Sequence, residues 1–131
     1  MMISLGKPSL FRLAALSLLL ILGFRILSYH GPMTTFIRGN VGDVIAVVFI
    51  GLLLGFWTRA WWQGGVVAFV IALVMESAQL FLQTQNTARD VLLGAVFDWW
   101  DIGAYIVGAL LVLIFEYALR RHPFFQPRRT T

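Results

Sequence analysis

The residues best suited to chemistry in this 131-residue chain are a carboxylate and two amides spaced along one helical face. Glu76, Gln79 and Gln83 are three and four residues apart, which puts them on one side of an α-helix. Glu76 lies inside an apolar stretch, where a carboxylate costs about 2.5–3.5 kcal/mol to insert into a membrane. A charge in such a place indicates a functional site, with the carboxyl group as proton donor or acceptor.

A second polar face follows in the last apolar segment. Asp98, Asp101, Tyr105 and Gly108 also share one side of a helix, at offsets of three, seven and ten residues from the first. In antiparallel neighbouring helices the two polar faces would meet inside the bundle, where Gly108 would permit close approach. Glu76 would then lie about 9 Å from the outer end of its helix, at roughly 1.5 Å per residue.

The elements that must hold these residues are membrane helices. The chain is 60% hydrophobic and only 12% charged, whereas soluble domains carry about 25% charged residues. Four apolar segments, at residues 10–28, 41–57, 64–82 and 102–119, are each long enough to cross the hydrocarbon core. The sequence predicts an all-α membrane protein with four transmembrane helices in an up-down bundle. We expect one four-span domain over residues 1–122, a basic cytoplasmic tail at 123–131, and a short interfacial helix in the last outer loop.

The distribution of lysine and arginine predicts the orientation. With the N-terminus in the cytoplasm, the outer loops hold Arg25, Arg38 and Arg89, and the other seven basic residues lie inside. This predicts a multi-pass protein of the bacterial cytoplasmic (inner) membrane with both termini in the cytoplasm. Phe24 and Arg25 stand where a signal peptide would have small residues, so we expect the first segment to remain as a span.

Charge and cysteine content exclude several kinds of chemistry. The chain has no cysteine, which excludes disulfides and thiolate sites. Basic residues beside anionic lipid head groups account for the net charge of +4, so membrane lipid is the expected partner and nucleic acid is not. The sequence does not indicate an oligomeric state.

The predicted topology gathers most of the acidic residues in the outer half of the membrane. We expect an outer polar site in which Glu76 and Asp101 are the catalytic candidates, Glu76 transferring a proton and Asp101 remaining ionised. Charge-assisted hydrogen bonds from arginines would hold an anionic envelope ligand. The ligand-binding candidates are Arg38, Asp43, Gln79, Arg89, Asp98 and Tyr105.

Each candidate also has a structural interpretation. Asp98 with Asp101, and Asn40 with Asp43, have the spacing of helix N-terminal caps, where an acid gains about 0.3–1 kcal/mol. Glu76 could hold two helices together by a hydrogen bond or ion pair.

Other polar residues have simpler explanations. Arg38 and Arg89 could be loop residues that contact lipid head groups, and His30 fits an interfacial residue better than a metal ligand. At the inner end, Glu116 forms a helical i,i+4 pair with Arg120, worth about 0.2–0.5 kcal/mol. A metal held by Asp98, Asp101 and Glu76 is a weaker alternative; no metal or other cofactor is predicted.

Several motifs together resemble a known family of small bacterial membrane proteins, the domain of unknown function 2809. The motifs are Phe36-Ile37-Arg38-Gly39-Asn40-Val41-Gly42-Asp43, Glu76-Ser77-Ala78-Gln79, Ala88-Arg89 through Gly94, and Phe97-Asp98-Trp99-Trp100-Asp101 through Gly108. The resemblance covers roughly residues 36–113. More distantly, the chain resembles VanZ-like proteins, which are associated with altered glycopeptide susceptibility, but it has Tyr105 where those proteins have Asn. The resemblance implies the fold and the motif residues rather than an activity.

Three classes of function therefore stay open. The first is an outer-leaflet site that binds or processes an envelope lipid or a cell-wall-related anionic ligand; whether it is an enzyme is undecided, because no nucleophile-plus-base pattern is present. The second is a structural or accessory membrane protein whose polar cluster only fixes helix packing. A transporter is the weakest of the three, because the inner halves of the spans are almost purely apolar.

Overall fold

The computed structural model describes residues 6–86 and 99–125, and within these residues the chain is all-helical. Four long helices follow one another: α1 (Lys7–Leu27), α2 (Thr34–Leu54), α3 (Gln63–Asn86) and α4 (Trp99–Arg121). A 3₁₀ turn, Pro123–Phe125, follows α4. The predicted interfacial helix and most of the predicted tail lie outside the described residues.

Three of these helices, α1, α2 and α4, are long and apolar enough to cross a membrane. Helix α3 contains a shorter apolar stretch, Gln63–Gln79. The all-helical class and the membrane-like helices are therefore confirmed for the described residues.

Helix α2 begins earlier than the sequence predicts. Met33 has a left-handed backbone (φ 57°), and the chain is helical from Thr34 onward. The segment Ile37–Val41 forms a π-helical turn that continues directly into regular α-helix at Gly42. The predicted cap formed by Asn40 and Asp43 is therefore wrong, because both residues lie inside the helix. Arg38 is likewise a helical residue and not a loop residue.

Helix α2 lies at the centre of the bundle and packs against the other three helices. Its contact with α4 advances in steps of four residues: Val47 meets Gly108, Gly51 meets Val112, and Gly55 meets Glu116. A Cβ atom added to Gly51 would lie 2.5 Å from Val112 Cγ2, and one added to Gly108 would lie 2.8 Å from Val47 Cβ. Each helix thus supplies glycine where its neighbour supplies a side chain, which is how closely packed membrane helices approach.

The close approach predicted between α3 and α4 has a different cause. Gly108 faces α2, so the prediction that it permits the close approach of α3 and α4 is wrong. Gly65 on α3 performs that role, since a Cβ added there would lie 3.1 Å from the carbonyl oxygen of Ala109. Together with the Glu76–Tyr105 contact further along, this shows that α3 and α4 run antiparallel.

The pairwise contacts also place the charged residues at opposite ends of the bundle. Leu16 of α1 packs with Leu52 of α2 in the buried core, while Gly23 approaches Ile45, so these two helices are antiparallel. One end, called the basic end here, contains Lys7, Arg12, Arg59, Arg120 and Arg121. The other, called the acidic end, contains Asp43, Glu76 and Asp101.

Candidate functional site

A cavity of about 490 Å³ opens at the acidic end between α2, α3 and α4. Its apolar wall comes from short and branched side chains such as Ala46 and Ile50 of α2 and Ala72 of α3. Its polar lining is Asp43 from α2, Glu76 and Gln79 from α3, and Asp101 and Tyr105 from α4. Five of the eight predicted site residues therefore line one cavity.

The polar faces of α3 and α4 meet inside this cavity, as the spacing predicts. The hydroxyl group of Tyr105 donates a hydrogen bond of 2.9 Å to Oε2 of Glu76. Tyr105 is 7% exposed and packs with Val47 and Ala68 in the core, so its ring is held in place by apolar neighbours. A buried tyrosine with its hydroxyl group so directed fixes the orientation of the Glu76 carboxyl group.

Three carboxylates from three helices surround the cavity. Negative charges that line one cavity favour the presence of a positive charge among them. The described part of the cavity lining contributes no arginine, lysine or histidine. This part of the site is therefore suited to hydrogen-bond donors and cationic groups, whereas the sequence predicts an anionic ligand.

Arg38 lies on the other side of α2. It is exposed and lines a separate groove of about 540 Å³ between α1 and α2, whose walls are otherwise almost entirely apolar. Asp43 lines both the groove and the acidic cavity. Among residues 6–86 and 99–125, neither Arg38 nor Asp43 forms an ion pair or a side-chain hydrogen bond.

The π-helical turn Ile37–Val41 forms the start of α2 beside this region. Such turns are rare and occur frequently at functional sites. Oδ1 of Asn40, within the turn, is buried and has no hydrogen-bond partner in the described part of the chain. The ring of Phe36 contacts the edge of Trp100, with 6.3 Å between ring centroids, and so joins the starts of α2 and α4.

At the basic end the side chains form a closed ion network that the sequence did not reveal. Glu116 is 1% exposed and accepts two hydrogen bonds of 2.7 Å from Nε and Nη2 of Arg12. A third, of 3.0 Å, comes from Arg120, which also donates to the backbone carbonyls of Thr58 and Arg59. The predicted pair of Glu116 and Arg120 is confirmed, but the partner on α1 was missed.

The apolar sequence around Glu116 could have predicted its ion pair with Arg12. Each lies within an apolar segment, where an isolated charge is costly and a partner of opposite sign is expected. In the sequence, Arg12 is only one of the seven inner basic residues that indicate the orientation of the protein in the membrane. Gly55 completes this arrangement, because a Cβ added there would collide with Oε1 of Glu116.

The remaining predicted residues are not part of the described geometry. Arg89 and Asp98 lie outside the described residues. His30 is exposed, and its Nδ1 lies 2.7 Å from the carbonyl oxygen of Ser28. Within residues 6–86 and 99–125, no group of three histidine, aspartate or glutamate side chains could hold a metal ion.

Comparison with known proteins supports the family resemblance. The family model described as "Protein of unknown function (DUF2809)" matches residues 33–109. The matched range includes α2, α3 and the acidic-end half of α4, and so every residue of the acidic cavity. No curated protein and no solved structure matches the chain. The more distant VanZ-like resemblance stays a prediction.

Proposed function

Because the chain belongs to the DUF2809 family, whose function is unknown, we propose its function from the chemistry of its own site. We propose a four-span protein of the bacterial cytoplasmic membrane, with both termini in the cytoplasm, that binds the polar head group of an envelope amphiphile at the acidic end. An envelope lipid or a lipid-linked cell-wall intermediate has the required chemistry. The observation that carries this proposal is the cavity lined by Asp43, Glu76, Asp101 and Tyr105.

The orientation follows from the segregation of charge between the two ends. Lys7, Arg12, Arg59, Arg120 and Arg121 share the basic end, which the positive-inside rule assigns to the cytoplasm. The acidic cavity then faces the periplasm or cell exterior. In this position it meets lipids of the outer leaflet and precursors that have already crossed the membrane.

The cavity's side chains suit a head group rich in hydrogen-bond donors. Ionised carboxylates only accept hydrogen bonds, so hydroxyl, amide and ammonium groups of a ligand are complementary to Asp43 and Asp101. Glu76 is the group we assign to proton transfer in any processing step, since Tyr105 holds it in a fixed orientation. An anionic part of the ligand would contact Arg38 and Arg89. Asp98 is a further proposed contact of the ligand's hydrogen-bond donors.

Native mass spectrometry of gently extracted protein tests this proposal. We expect wild-type protein to carry a co-purifying mass that is lost in Glu76→Gln and Asp101→Asn, with thermal unfolding unchanged. Gly103→Ala is the matched control, because Gly103 lies on α4 near Asp101 but faces open space. No bound species in the wild type, or the same bound mass in Glu76→Gln, would contradict a ligand site that depends on this carboxylate.

A structural role is the second candidate, and the Glu76–Tyr105 hydrogen bond favours it because it links α3 to α4. In that case Glu76→Ala lowers the yield of folded protein, whereas Glu76→Gln keeps a hydrogen-bond acceptor and is tolerated. A Glu76→Gln protein that folds normally and has lost its ligand would separate the two functions.

A further inference from the structure

We propose that the groove between α1 and α2 seats one acyl chain of a glycerophospholipid whose head group is phosphoethanolamine. Its phosphate would bind Arg38 and its ammonium group would bind Asp43. This inference rests on the proposed function and narrows its ligand class from envelope amphiphiles in general to a zwitterionic phospholipid with a primary amine.

The groove has the size and the surface that an acyl chain requires. Its volume of about 540 Å³ lies within the range of roughly 300–1,000 Å³ typical of ligand sites. Leu20, Phe24 and Leu27 of α1 face Ile45 and Phe49 of α2 across it. Phe24 is 72% exposed and Leu27 is 62% exposed, so the described part of the chain leaves this wall uncovered.

Gly23 widens the groove where α1 passes α2. A Cβ added to Gly23 would come no closer than 4.0 Å to Ile45, which is an ordinary contact. The helices therefore do not need glycine here in order to approach each other, in contrast to Gly51 or Gly108. The missing side chain leaves room in the groove wall, and a larger residue at this position would fill it.

The charges at the end of the groove select the head group. Arg38 and Asp43 have opposite charge, are five residues apart on α2, and form no ion pair with each other. An arginine guanidinium group binds phosphate oxygens through paired hydrogen bonds. A purely anionic head group would satisfy Arg38 but would place its negative charge beside Asp43. A head group with both charges satisfies the two side chains together.

Asp43 links this groove to the acidic cavity. Its carboxylate lines both, so an ammonium group bound to it would lie at the edge of the cavity that contains Glu76. A cation there gains from the additional negative charge of the cavity. The same lipid thus presents its amine to the residues assigned to proton transfer, while its acyl chain lies on the far side of α2.

The test is competitive lipid binding to the full-length protein in detergent, read by native mass spectrometry. Equal amounts of phosphatidylethanolamine and phosphatidylglycerol with identical acyl chains are added. We expect the wild type to bind phosphatidylethanolamine about tenfold more strongly. Equal binding of the two lipids, or a preference for phosphatidylglycerol, would overturn the proposal.

Three variants examine separate parts of the interaction. Arg38→Gln should weaken binding of both lipids about tenfold, and Asp43→Asn should abolish the preference while phosphatidylglycerol still binds. Gly23→Leu should reduce binding of both by filling the groove. Arg25→Gln is the matched control, since Arg25 is an exposed arginine at the same end that does not line the groove. An equal loss in Arg25→Gln and Arg38→Gln would show only a general attraction of lipid to positive charge, and would overturn the assignment of the phosphate to Arg38.

Failure of this inference is distinguishable from failure of the proposed function. If phosphatidylethanolamine is not preferred but Glu76→Gln still loses a co-purifying mass, the head-group assignment is wrong and the cavity still binds a ligand. If the preference depends on Arg38 and Asp43 while Glu76→Gln and Asp101→Asn change no bound species, the groove binds lipid and the proposed function of the cavity is wrong. Arg38 is exposed, so Arg38→Gln gives a result even where Asp43→Asn fails to fold.

Discussion

The two ends of the bundle treat buried charge in opposite ways. At the basic end, Glu116 is buried and accepts three hydrogen bonds from Arg12 and Arg120, and Arg120 also donates to the backbone of the α2–α3 connection. At the acidic end, Asp43 has no ion-pair partner in the described part of the chain, and its neighbours line an open cavity. The charges around Glu116 at the basic end pair with each other, whereas the carboxylates at the acidic end line a space that a ligand can enter.

This difference is the basis on which we propose structural polar groups at one end and ligand-binding polar groups at the other. An ion network whose buried carboxylate is fully hydrogen-bonded has little capacity left for a ligand, so its role is to hold helices in place. Carboxylates around an accessible cavity contribute less to folding and more to recognition. Substitutions at the two ends should therefore affect different properties, stability at the basic end and ligand binding at the acidic end.

The largest expected effect is at Glu116. Glu116→Ala leaves Arg12 buried without a counter-charge, and loss of one partner from a buried pair typically costs about 3–5 kcal/mol. Unfolding of the detergent-solubilised protein, followed by circular dichroism, should show this loss. Glu76→Ala is the comparison at the acidic end and should cost clearly less. Equal losses would contradict the distinction between the two ends.

A double substitution sharpens the same comparison. Arg12→Met combined with Glu116→Met removes both charges and retains bulk in the apolar interior. We expect it to recover part of the stability lost in Glu116→Ala, because apolar replacements of buried ion pairs are often neutral. No recovery would show that Arg120 also needs Glu116 for its contacts with Thr58 and Arg59.

An intermediate effect is expected at the glycines of the helix contacts. Gly51→Ala forces a methyl group against Val112 and should cost about 1–3 kcal/mol, as overpacking does. Gly103→Ala, near the acidic end, meets no atom of the described residues within 4 Å and should be neutral or slightly stabilising. Thermal unfolding of the two variants measures these changes in stability. A similar change of stability in both variants would contradict the assignment of the Gly51 effect to its close contact with Val112.

The smallest effect is expected from the hydrogen bond of the acidic cavity. Tyr105→Phe removes the donor to Glu76, and such bonds between membrane helices contribute about 0.6 kcal/mol on average. A double-mutant cycle with Glu76→Ala, which removes the acceptor, should yield a coupling energy of this size when unfolding is measured in mixed detergents. A coupling of several kcal/mol would make the acidic end resemble the basic end and would favour the purely structural role.

The sequence predicts the acidic end well because its information is local. The spacing of Glu76 and Tyr105 within their own helices fixes the faces they occupy, and consecutive spans of the predicted up-down bundle are antiparallel. If either helix were rotated, its polar side chains would lie in apolar surroundings, and the cost in free energy makes that arrangement unfavourable. The helical class and the gathering of Asp43, Gln79 and Asp101 around one cavity follow from the same periodicity.

The features that the sequence does not predict depend on how whole helices are placed relative to one another. The pairing of Arg12 with Glu116 spans 104 residues and requires the rotation of α1 about its axis to be known. The contact of Gly108 with Val47 depends on α2 being central. The position of Arg38 is also not predicted, because the π-helical turn changes which side of α2 that residue occupies.

The pairing of Arg12 with Glu116 also limits the order in which the protein can be assembled. The arginine enters the membrane with the first helix, and its counter-charge is synthesised only with the last. The glycine face of α2 must likewise wait for Val112 of α4. In the proposed topology, the early helices therefore stay in the bilayer with an unneutralised cation and an unfilled contact surface until α4 has been synthesised. Insertion of α4 is then the step that converts separate helices into a folded bundle.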